Sequence, residues 1–194
     1  MKIMLHPIIL LLTTAVLFQS SFAQRTVRMN IERMVSDAAM IVHGTVTNVE
    51  SAVDPQTNIL STFVTFSVTE NFFGVNEPSV TLKMVGGRTK RSTLTFAEMP
   101  QFKNGEEVYA MFYAPSKYGF TSPVGMGQGK FSVIANGPSG IKHVRNALNN
   151  VRLFSGVKNV SVLATVSQAA TDQSEITAEG FSATIRSLVS ILKK

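Results

Sequence analysis

The chain has 194 residues, a formal net charge of +6, and neither cysteine nor tryptophan. The lack of cysteine excludes a disulfide framework, a thiol nucleophile, Cys-ligated zinc and iron–sulfur clusters, so the core must hold by burial alone. Charged residues make up only 15% of the chain. The basic excess therefore reads as an ordinary solvated face, and no nucleic-acid role is expected.

The first stretch carries Lys2, an apolar run from Ile8 to Phe18 broken only by Thr13 and Thr14, and then Ser21-Phe22-Ala23. A cation, a short apolar run and small residues flanking a cut site are the marks of a secretory signal peptide, here residues 1–23 with cleavage near Ala23. The run is shorter than the about 20 apolar residues a spanning helix needs. An exported chain is expected, periplasmic or extracellular, with no transmembrane segment in its mature part. Removing 23 residues from 194 leaves 171, enough for one domain with its own core.

Asn30 is a candidate N-cap, and Ile31, Met34 and Val35 follow at helical spacing, with Ser36 and Asp37 ending the helix. Met40 to Val49 then alternates, with Val42, Gly44 and Val46 on one face and Ile41, His43, Thr45 and Thr47 on the other. Gly44 inside this strand predicts a bulge or bend. Asp54-Pro55-Gln56-Thr57-Asn58 predicts a turn, with Asn58 suited to positive φ. Further strands are predicted at Leu60–Thr69, Ser79–Val85, Ser92–Phe96, Val108–Tyr113 and Lys130–Ile134, with a short return at Phe120. The pattern predicts a mainly β fold, a small OB-like β-barrel over residues 24–136 with a short N-terminal helix.

Residues 137–174 are expected to form an irregular extension and linker. Ile141, Val144, Leu148 and Val151 fit a helical stripe or extended chain equally. Val160–Ala164 is a candidate strand, and Ser167–Ser174 is a run of small and polar residues that reads as a linker. Residues 175–194 hold the best amphipathic helix, capped by Thr177, with Glu179 in its first turn and Phe181, Ile185, Leu188, Val189 and Leu192 on one stripe. It either docks on the β domain or meets a partner.

The sequence offers no constellation of catalytic, cofactor or metal-binding residues. His43 and His143 are the only histidines after Ala23, and neither has a second ligand at metal spacing. Glu106 and Glu107 are adjacent on a strand, so they point to opposite faces. Asp37, Glu70 and Glu98 would matter only if they converged in one pocket. The glycine run Gly125-Met126-Gly127-Gln128-Gly129-Lys130 lacks the spacing, the following Ser/Thr and the helix of a phosphate loop. Asn159-Val160-Ser161 is a glycosylation sequon, meaningful only in a eukaryotic secretory host. The densest basic cluster, Arg88, Lys90 and Arg91 after Gly86-Gly87, is the candidate partner-binding site, for a protein or an anionic surface ligand. Loops 86–91 and 115–129 are the expected contact surface.

Three stretches carry a resemblance: Ser36-Asp37-Ala38-Ala39-Met40-Ile41-Val42 with Gly44 and Val46, Thr65-Phe66-Ser67-Val68 with Glu70 and Phe72-Phe73-Gly74, and Gly105-Glu106-Glu107-Val108. Their order resembles netrin-like modules and tissue inhibitors of metalloproteinases, which are five-stranded OB-type barrels. The chain is also similar to a group of exported bacterial domains of unknown function that carry a Gln-Gly-Lys-Phe stretch, here Gln128 to Phe131. The resemblance implies the fold and transfers no functional residue. The inhibitors chelate zinc through an N-terminal cysteine, and this chain has none. The resulting expectation is a non-catalytic exported binding or interaction module; the alternative is a protease inhibitor that inserts a loop or its N-terminus into a cleft.

Overall fold

The computed structural model of the protein describes residues 27–135, 140–159 and 176–193. The expected leader at 1–23, the candidate strand Val160–Ala164 and the linker at 167–174 lie outside the described residues.

Helix α1 (Ile31–Asp37) starts where Asn30 Oδ1 accepts the Arg33 N–H at 2.8 Å, and it buries Ile31, Met34 and Val35. The chain passes directly into β1 (Met40–Val53), turns, and returns as β2 (Leu60–Phe73) and β3 (Ser79–Val85). A small hairpin follows, β4 (Gly87–Arg88) with β5 (Thr93–Leu94). Then come β6 (Glu107–Phe112), a 3₁₀ turn at Met126–Gln128, β7 (Lys130–Ala135), β8 (Lys142–Asn146) and helix α2 (Ala178–Leu192). Ser92–Phe96, expected as a full strand, contributes only the two residues of β5. Residues 142–146, expected within an irregular extension, instead form an edge strand of the main sheet.

The main sheet is antiparallel with strand order β3-β2-β1-β6-β7-β8. The mainly β expectation holds. Among the described residues no continuous ladder closes the sheet. Isolated bridges Lys83↔Phe120 and Phe112↔Pro123 link edge strand β3 to β6 through residues 120–123, so the sheet curls around its inner face.

Alternation splits the apolar residues into two cores. Val42, Val46, Val64, Phe66, Leu82, Met84, Val108 and Phe112 fill the concave inner face with Phe102. Ile41, Tyr109, Met111, Phe131 and Val144 form the outer face, which both helices cover. Gly44 sits at a register shift between β1 and β2, as its place in the strand predicts. A Cβ there would overlap the Ser67 carbonyl oxygen.

Helix α2 docks on the outer face. Thr177 caps it by accepting the Gly180 N–H at 3.1 Å, and Phe181, Ile185 and Leu188 are fully buried. Tyr109 donates its hydroxyl to the Ala178 carbonyl at 3.1 Å and lies 2.8 Å from Ser182 Oγ. Burial holds the Tyr109 phenol above its usual range. Arg186 grips Glu70 with two bonds of 2.6 and 3.0 Å, and Lys193 bonds the Ser36 and Ala38 carbonyls at the end of α1.

The β1–β2 turn is tied to the sheet edge by a buried ion pair. Asp54 is 2% exposed; it accepts the Gln56 and Thr57 N–H groups at 2.8 and 3.0 Å and pairs with Lys83 of β3. Asn58 adopts φ 56°, as its residue type predicts. Chiefly through the Lys83 hydrogen bond, and against the effect of burial, the Asp54 carboxyl is held below its usual value of 3.8. A depressed folded-state value adds stability above the unfolded value, and that stability is lost as pH falls through the folded one. Urea midpoints of the wild type should therefore fall on acidification below about pH 4. Lys83→Met should be less stable at neutral pH and lose less on acidification, because its Asp54 is buried without a partner cation. Parallel pH curves for the two proteins would show that the pair does not contribute.

Candidate functional site

The basic cluster is placed by the end of β3. Gly86 and Gly87, at φ 95° and 150°, turn the chain off the sheet. A Cβ on Gly87 would stand 2.5 Å from Ser51 Oγ and 2.6 Å from Thr62 Oγ1, so only glycine lets the backbone settle there. Thr62 Oγ1 donates to the Gly86 carbonyl at 2.7 Å, pinning the root of the β4–β5 hairpin onto β2. The tip is a closed turn, with the Thr89 N–H on the Ser92 carbonyl at 2.8 Å.

Below the hairpin lies a groove of about 320 Å³, open to solvent at the end of the concave face. Its floor is Val49 and Ser51 of β1, Thr62 of β2 and Met84 of β3; its walls include Leu94, Phe96 and Phe102, with Arg88 on the rim. Leu94 and Phe96 are 37% and 46% exposed. Lys90 and Arg91 sit on the exposed tip of the hairpin that carries Arg88. Among the described residues, Arg88, Lys90 and Arg91 take part in none of the ion pairs, which join Arg33–Asp37, His43–Glu107, Lys83–Asp54, Lys130–Glu106, Lys142–Glu107 and Arg186–Glu70. The structure thus brings the three predicted cations together on one hairpin and adds an apolar groove beside them.

The second expected contact loop divides in two. Residues 113–119 are exposed, as expected. Residues 121–129 are largely buried, which corrects the reading of the whole of 115–129 as a contact surface. Gln128 shows why. Its side chain accepts the Met29 N–H at 2.9 Å and donates to the Val27 carbonyl at 2.9 Å, clamping the chain ahead of α1. Lys130 is held by Glu106 and, at 2.6 Å, by the Gln101 carbonyl. The Gln128-to-Phe131 stretch is therefore used for packing.

Glu106 and Glu107 face opposite sides of the sheet, as their adjacency predicts. Burial raises both carboxyls, but hydrogen bonds outweigh it: Lys130 and Ser132 hold Glu106 below its usual range, and Lys142 and His43 do the same for Glu107. His43 lies flat on the Tyr109 ring at 4.1 Å, with Nε2 2.9 Å from Glu107 Oε1, the sheet-face role expected of it. His143 forms an isolated bridge with Thr177. Asp37 pairs with Arg33, Glu70 with Arg186, and Glu98 lies in the 86–102 segment. Among the described residues no three His, Asp or Glu side chains are grouped to hold a metal ion. No helix among them is long and apolar enough to cross a membrane.

The cations are legible in the sequence and the groove is not, because its lining comes from five strands and the loop that follows them. The available signal was Thr93-Leu94-Thr95-Phe96, whose apolar residues alternate in a segment too short to be a core strand. Comparison of the chain with protein-family models, curated proteins and solved structures found no match.

Proposed function

We propose that the protein is a non-catalytic exported binding module, an OB-like curled sheet that engages an anionic partner through the β4–β5 hairpin and the groove beneath it. One observation carries the reading. Three cations without an acidic partner among the described residues share a hairpin that overhangs an open groove, and the exposed side chains of Leu94 and Phe96 line that groove. Cations free of intramolecular partners, set next to apolar surface, are what an interaction site presents. The leader-like first 23 residues and the absence of cysteine support export of a fold that needs no oxidative staple.

Inhibition of a protease by an inserted loop is less well served. The Thr89–Ser92 tip is a closed turn, whereas an active-site cleft takes an extended strand. The test is capture from an exported-protein fraction with wild-type protein and with Arg88, Lys90 and Arg91 all changed to Ser. Wild type should retain partners in a salt-sensitive way, and the triple variant should lose them. Identical partner sets would remove the hairpin from the function.

A further inference from the structure

We infer that the groove is a small-molecule site for a medium-chain carboxylate, with its head on Arg88 and its tail over Met84, Phe96 and Phe102; this rests on the hairpin and groove being the binding surface. The groove abuts the inner core at this end of the sheet. Met84 and Phe102, 3% and 6% exposed, belong to the concave core and also line the groove, so the groove ends on the apolar side chains that close the core. The mouth of a curled or closed sheet is a common place for small ligands. Phe96 and Leu94, exposed on the wall, are the surface an apolar tail would cover.

The polar groups place the head. Thr62 has one hydroxyl hydrogen, and it goes to the Gly86 carbonyl at 2.7 Å. The 3.2 Å contact between Ser51 and Thr62 must then be a bond donated by Ser51. Both hydroxyls have spent their hydrogens, which leaves Arg88, Thr95 and Gln101 as the side-chain donors on the lining, and of these Arg88 alone carries charge. Arg88 on the rim offers a planar fork of N–H groups matched to a carboxylate. Among the described residues no Asp or Glu lines the groove to neutralise it. At about 320 Å³ the groove lies at the lower end of the size range of small-molecule sites.

The test is isothermal titration calorimetry of the mature protein with octanoate and decanoate below their micelle concentrations. Decanol and decyltrimethylammonium are the neutral and cationic controls. Decanoate should bind more tightly than octanoate, by up to about fourfold for each added methylene. Arg88→Gln should weaken decanoate at least about tenfold and leave decanol unchanged, since a charged hydrogen-bonded pair is worth that much. Phe96→Ala should weaken both. Arg145→Gln, on the far edge strand, removes the same charge and should change neither. Unaltered circular dichroism melts confirm that the variants are folded. No binding of decanoate at millimolar concentration, equal losses from Arg88→Gln and Arg145→Gln, or equal binding of the cationic analogue would each overturn the inference. If hairpin-dependent partner capture survives while decanoate does not bind, this inference alone fails. If the triple Ser variant also keeps every partner, the proposed function fails with it.

Discussion

Phe181→Ala is expected to destabilise the protein by about 3–5 kcal/mol, read from urea unfolding at neutral pH. Phe181 is fully buried where helix α2 meets the outer face of the sheet. Its ring stands edge-on to Tyr109 at 5.2 Å and lies tilted 4.6 Å from Phe131. Truncation removes the transfer free energy of the ring and both aromatic contacts, and it leaves a void that two rigid rings cannot collapse to fill. A conservative Phe181→Leu should recover more than half of the loss. A loss below about 1 kcal/mol for the alanine variant would mean that α2 is not part of the cooperative core.

Gly44→Ala should be of similar size and opposite in kind, an excess of volume where no atom fits. The added methyl would overlap the Ser67 carbonyl oxygen and press on Val68 of β2, and these are backbone atoms of the paired strand that have no rotamer to change. The register shift between His43 and Gly44 must then move or the strands must part. Overpacking against backbone lies at or above the upper end of the usual 1–3 kcal/mol range, so an unfolding loss of about 3 kcal/mol or more is expected. Amide exchange at Thr45 and Val46 should rise beyond the global effect. A variant as stable as wild type would show that the β1–β2 approach is looser than described.

How far the sequence foretold this molecule depended on the range of each interaction. Asn30, Thr177, Asn58 and Gly44 were legible because caps, positive-φ turns and bulges are decided by a few neighbouring residues. The alternation of Val64 and Phe66 against Thr65 and Ser67 gave the two faces of β2. Residues 142–146 were not legible as a strand, because Val144 is drawn into extended pairing by β7 and by the Ile176 carbonyl, which accepts its N–H at 2.9 Å. The same limit applies to the candidate site. Arg88, Lys90 and Arg91 stand out in any window, whereas Ser51, Thr62 and Phe102 become neighbours only when the sheet curls. Gln128 looked like part of a glycine-rich loop, and only the fold shows that it holds Val27 and Met29.

The contact between Lys193 and the Ser36 carbonyl spans 157 positions of the chain. Loop-closure entropy grows only as the logarithm of length, at about 0.6 kcal/mol per doubling, so at equilibrium the distance matters little. Its larger effect is on time. Every strand of the sheet precedes α2, and until that helix arrives Tyr109 and Phe131 lack the cover of Phe181, with only α1 available to shield the outer face. During folding the hairpin of β1 and β2 can form while the outer face is covered by α1 alone. Long-range closure of this kind folds slowly and leaves an adhesive intermediate. The order of elements along the chain thus makes folding depend on the last helix, and a chaperone that shields the outer face would be most useful in that interval.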